Sequence, residues 1–156
     1  MRIVLTKLSD RSHVFEVFRD DGSTERAELE TRSMLVHDLV HYAVEAELGL
    51  HGAFYGSLAA GSRMASLRDE TILAADNELA LAERLVGPMQ SLYRGHTSRA
   101  AYLEHGSARH PELVNEPFVD AILERLRQLV GRWRATRYGS AMELAWPPPE
   151  TGPPGS

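Results

Sequence analysis

The apolar period of this chain changes at about Thr31, and that change limits the fold more than any other feature. Before it, apolar and polar residues alternate over short stretches. Arg2-Ile3-Val4-Leu5-Thr6-Lys7-Leu8 mixes β-branched and polar positions as a half-buried strand does, and His13 to Arg19 repeats the pattern. Ser9-Asp10-Arg11-Ser12 supplies turn chemistry between them. Asp21-Gly22 then marks a hairpin, because glycine accepts the positive φ that a tight turn demands, and Thr24 to Glu30 reads as a more polar third strand with one wet face. Connections this short cannot carry a crossover, so the three strands must pair as an antiparallel meander.

After Thr31 the apolar steps become three and four. Ser33 is the expected N-cap of a helix running to about Leu48 and closed by Gly49. Phe54 to Ala60, bracketed by Gly52, Gly56 and Gly61, reads as a short helix or turn. Asp76 to Tyr93 carries Leu81, Leu85, Met89 and Leu92 at helical spacing, with Gly87-Pro88 expected to kink or break it. Between Gly95 and Pro111 the spacing supports one short helix, around Ala100 to His105.

Phe118 to Arg134 has the widest stripe: Val119, Ile122, Leu123, Leu126, Val130 and Trp133. Its acids come early and its arginines late, which complements the helix dipole. Met142, Leu144 and Trp146 alternate again, which predicts a last strand rejoining the sheet. The expected fold class is therefore α+β: an N-terminal antiparallel three-stranded meander plus a C-terminal strand, covered by a helical layer. One domain is expected over residues 1–146, followed by a disordered Pro/Gly-rich tail over 147–156 that opens with Pro147-Pro148-Pro149.

Composition removes several functions. At 156 residues a single domain can bury about 68–70% of its unfolded surface. The formal charge of −5 makes a general nucleic-acid binder unlikely, since affinity for phosphate needs a basic surface. With no cysteine there is no disulfide, thiolate nucleophile or Cys-ligated zinc. No apolar run approaches the roughly 20 residues that span a bilayer, and Met1 to Lys7 reads as a strand, not a signal peptide. A cytoplasmic protein is expected. Sixteen arginines against the single Lys7 point to a GC-rich, bacterial source.

One chemical constellation stands out, His37-Asp38-Leu39-Val40-His41. On a helix, side chains four apart lie one turn above each other, so His37 and His41 can take one metal ion between them. At about 100° per residue, His37, Asp38, His41 and Glu45 share one side, while Leu35, Leu39, Tyr42, Ala43 and Ala46 share the other. The polar stripe would face either solvent or a cleft formed by later helices. The pentad resembles the HExxH helix of zinc metallopeptidases, with aspartate where those enzymes carry glutamate; the resemblance covers five residues. It implies His37 and His41 as metal ligands and Asp38 at the general-base position, one methylene shorter than glutamate. Glu45 is the expected third ligand, and His51, His105 and His110 are further candidates by residue type. The cofactor would be zinc or another divalent metal, and an open coordination position would make the site hydrolytic.

A plainer reading needs no metal. Asp38 and Glu45 can each pair with His41 along the helix, leaving a solvated face. The chain would then be a noncatalytic protein-interaction or dimerisation module, a homodimer being one such assembly. A third reading, an anion or nucleotide binder using the arginines from Arg125 to Arg137, ranks last, because dipole compensation accounts for them.

Overall fold

Alternation at the N-terminus becomes a sheet with one dry face. The computed structural model describes residues 1–68 and 77–149. Strand β1 (Arg2–Lys7) pairs antiparallel with both β2 (Ser12–Phe18) and β4 (Ala141–Ala145), and β3 (Thr24–Glu30) adds to β2, giving the order β3-β2-β1-β4. The register places Ile3 opposite Val17 and Leu144, and Leu5 opposite Phe15 and Met142. Those six side chains form the buried inner face. β3 alternates exposed with half-buried positions, as an edge strand with one wet face should.

The helical layer lies on the inner face. It comprises α1 (Val36–Leu48), α2 (Phe54–Ala59), α3 (Met64–Leu67), α4 (Glu78–Tyr93), α5 (Arg99–Arg109) and α6 (Glu116–Ala135). Aromatic edges join the layers: Phe15 of β2 packs on Phe54 and Tyr55 of α2, and Trp146, just beyond β4, lies against Tyr42 and Tyr55. Tyr42 also donates a hydrogen bond to the Ala145 carbonyl at 2.9 Å. The α+β class and the return of the C-terminal strand are as the alternation implies.

Three local expectations are corrected. The first helix is not capped by Ser33. Thr31–Leu35 forms a wide, π-type turn leading into α1, and the Glu30 carboxylate caps it by accepting from the Arg32 and Ser33 amides. The Ser33 hydroxyl is itself engaged, donating to the same Glu30 carboxylate. Helix α4 runs through Gly87-Pro88 without breaking. Proline removes one hydrogen bond there, but the buried stripe of Leu79, Ala82, Leu85, Val86 and Met89 continues on both sides of it. Helix α5 spans eleven residues, Arg99–Arg109, because Ser98 caps it and Tyr102 anchors it, so sparse apolar content was a poor guide to its length. The expected start of α4 at Asp76, and the tail from Glu150 to Ser156, lie outside the described residues.

The centre of the layer is α1, which packs against α4 on one side and α6 on the other and touches α2. Every residue from Asp38 to Glu45 is buried. Gly49, at φ 64°, ends the helix in the left-handed conformation and turns the chain back toward α2. At the far end of α2 the Arg19 guanidinium, itself buried, donates to the carbonyls of Leu58 and Ser62 and to Glu25, tying that segment to the sheet. Leu126 of α6 is fully buried at the middle of its stripe. Leu126→Ala is expected to destabilise the fold by about 2–5 kcal/mol in urea melts, and a loss under about 1 kcal/mol would mean that α6 does not pack as described.

Candidate metal centre

Helix periodicity stacks His37 and His41 on α1, and their rings meet edge to face with centroids 4.7 Å apart. The group that completes them is Glu83 of α4. Its Oε1 lies 2.8 Å from His41 Nε2 and its Oε2 lies 3.7 Å from His37 Nε2. One ligand atom from each of the three residues falls within 4.8 Å of the others, so the trio could hold a metal ion. His41 is 1% exposed, whereas His37 and Glu83 are 29% and 24% exposed. The cluster is thus closed at His41 and reachable past the other two.

Behind each ring stands a buried carboxylate. Glu45 Oε1 lies 2.9 Å from His41 Nδ1, and Asp38 Oδ1 lies 3.6 Å from His37 Nδ1. Glu45 is held independently: Oε1 also accepts from the Phe54 amide at 3.0 Å, and Oε2 accepts from the Tyr55 amide at 2.9 Å. These are the first two amides of α2, which the helix itself leaves unsatisfied. That fit needs a close approach within the preceding loop. A Cβ on Gly56 would sit 1.8 Å from the His51 carbonyl oxygen, so only glycine lets α2 start where it does. Asp38 is fixed by Arg68, whose Nη2 lies 3.0 Å from both carboxylate oxygens while its guanidinium packs on the Phe54 ring.

The sequence-derived residues therefore occupy different places around one centre. His37 and His41 converge. Glu45 and Asp38 sit on the Nδ1 side of the rings, away from the side facing Glu83. His51 lies exposed in the loop before α2, and His105 and His110 line a separate cleft at α5. Glu83 was missed because it is 42 residues from His41. A weak signal did exist: Glu83 follows Leu79 by four and precedes Val86 by three, which places an acid on the buried stripe of α4.

Burial and charge act against each other here. Burial alone would lower the His41 pKa, but its hydrogen bonds to Glu45 and Glu83 outweigh that and raise it to about 9. His37 is also raised, burial being outweighed by Asp38 and Glu83. Burial would raise Glu83, yet its contacts with the two imidazoles hold it well below the usual carboxylate range. Burial raises Glu45 despite His41 and the two amides. Geometry agrees for His41: both ring nitrogens face carboxylate oxygens, which only accept, so both must carry protons.

Family models, curated proteins and solved structures were compared with this chain, and none matches it. Among the described residues no helix is long and apolar enough to cross a membrane.

With its folded pKa above the unfolded value of about 6.5, His41 contributes stability that is complete below pH ~6.5. That stability is lost as pH rises through about 9. The loss should be on the order of 3 kcal/mol for a shift of this size. Urea melts from pH 6 to pH 9.5 in the presence of a chelator should therefore slope downward. The same series on His41→Gln should start less stable and stay nearly flat. Parallel slopes for the two proteins would remove His41 as the source.

Proposed function

We propose that this chain binds a divalent metal ion through His37, His41 and Glu83, with Glu45 orienting the His41 imidazole by hydrogen bond, Asp38 facing His37 as a buried charge, and zinc as the leading candidate. One observation carries the reading: both imidazoles turn Nε2 toward Glu83 while Nδ1 faces a buried carboxylate. A carboxylate behind a ligating histidine selects the tautomer and raises ligand basicity, an arrangement typical of histidine–zinc sites. The spacing suits it too. Ligands bound to tetrahedral zinc at 2.0–2.1 Å stand roughly 3.3 Å apart, and the observed 2.8 and 3.7 Å lie on either side of that value. Two histidines and one carboxylate make a three-ligand set, which in zinc proteins leaves a fourth position for water or substrate.

Hydrolysis along the HExxH route would need Asp38 to take a proton from metal-bound water. Asp38 is buried, with both oxygens on Arg68, so its geometry favours a positioning role. The proposal is therefore metal binding, without a committed reaction. The interaction-module reading has no comparable support: among the described residues, the large apolar side chains left exposed are Leu8 and Tyr138.

A metal must displace the proton on His41 Nε2, while Nδ1 keeps its proton for Glu45. Zinc uptake by tag-free, chelator-stripped protein should therefore release at least one proton per ion at pH 7, measurable by calorimetry in two buffers of different ionisation enthalpy. Affinity should keep rising toward pH 9 rather than level off above pH ~6.5, because the competing proton leaves only near 9. Zinc should raise the melting temperature, and His37→Ala or Glu83→Gln should abolish the rise. Glu45→Gln should weaken zinc about 10–100-fold. The proposal fails if zinc neither binds one-to-one nor shifts the melt, or if Glu83→Gln leaves both unchanged.

A further inference from the structure

A second concavity, of about 330 Å³, lies between α4 and α5. Its volume is at the low end of small-molecule sites. Leu85, Pro88 and Ala101 give it an apolar lining, and Arg84 of α4 and Arg109 at the end of α5 bring charge. No acidic side chain lines it among the described residues. Some arginines of this chain are neutralised, Arg99 by Glu116, Arg125 by Glu47 and Arg127 by Glu124, and their charge is not available to a ligand. Arg84 and Arg109 are exposed and have no carboxylate partner among the described residues.

An independent observation comes from Tyr102. Its side chain is buried and lines the same cleft, yet its hydroxyl has no hydrogen-bond partner among the described residues. Buried hydroxyls without partners are costly and uncommon, which makes Tyr102 the residue of this wall with a donor to spare. Burial raises the phenol pKa to about 12, so the hydroxyl keeps its proton to donate.

We infer that this cleft binds a small organic anion, its acidic head taken by Arg84 and Arg109 with the Tyr102 hydroxyl donating, and its apolar body against Leu85, Pro88 and Ala101. The site is separate from the histidine cluster, since Glu83 turns to α1 whereas Arg84 and Leu85 border α5. It therefore stands or falls apart from the metal proposal.

Calorimetric titration of the full chain with octanoate, phenyl phosphate, inorganic phosphate and octanamide tests it. At least one of octanoate and phenyl phosphate should saturate a single site, and which of them does so identifies the head group as carboxylate or phosphate. Octanamide, of the same length but uncharged, should bind at least about tenfold more weakly than octanoate if octanoate is the ligand, and inorganic phosphate similarly more weakly than phenyl phosphate if that is the ligand. The pair Arg84→Gln and Arg109→Gln should cost at least about tenfold and Tyr102→Phe about threefold, with the zinc response unchanged. Should the pair alter the melting temperature, either single arginine variant serves in its place. The inference is overturned if neither anion saturates at millimolar concentration, if octanamide or inorganic phosphate binds as well as its partner anion, or if the arginine variants bind undiminished.

Discussion

Burying ionisable side chains on a central helix is the constraint from which the rest of this structure follows. Asp38, His41 and Glu45 lie within eight residues of α1, and all three are sealed from water. Removing the partner of a buried charge costs roughly 3–5 kcal/mol, a large share of the stability of a small domain. Each of the three must therefore recruit a partner from elsewhere. Asp38 takes Arg68, beyond α3. His41 takes Glu83 of α4, and Glu45 takes the opening amides of α2. The positions of α2, α4 and Arg68 are thus set by what α1 requires as much as by apolar packing.

This explains what the sequence could and could not convey. The meander and the returning strand were legible because alternation and Asp21-Gly22 are local signals. Helix α6 was legible because its stripe is wide and unbroken. The environment of α1 was harder to read. Periodicity separated its apolar from its polar side, and a polar side ordinarily faces water, so the stripe was expected in solvent or a cleft. The stripe in fact faces α4, a later helix, and is buried from Asp38 to Glu45, with acids from its own turns and from α4 answering its histidines. His37 and His41 could be picked out from their spacing alone. Glu83 could not, because its role depends on α4 lying beside α1, a contact with no local signature. Glu45 is a ligand type at helical spacing, but spacing cannot tell which side of an imidazole a carboxylate will face.

The same enclosure gives the cluster two ways to balance its charge. Without a metal, the protons on His41 Nε2 and Nδ1 satisfy Glu83 and Glu45, while His37 faces its carboxylates at 3.6 and 3.7 Å without a hydrogen bond. On the proposed reading, a divalent ion would take the place of the Nε2 proton while Nδ1 kept its hydrogen bond to Glu45. The buried carboxylates serve both arrangements, so the fold need not reorganise between them. Glu45 fixes the His41 ring from its Nδ1 side, so on the proposed reading proton and metal would compete for the other nitrogen.

The place of β1 in the sheet bears on how the molecule is made. β1 precedes all six helices, yet one of its two edges is completed only by β4, which follows them and pairs Arg2 with Ala145. Until Ala141–Ala145 arrive, the nascent meander presents a row of unpaired amides and carbonyls along its most apolar strand, the kind of edge on which other chains can add. A central strand whose second neighbour follows the whole helical layer therefore ties completion of the core to a pairing of long sequence separation. During that interval the risk of misassembly lies at Ile3 and Leu5, not at the chemistry of α1.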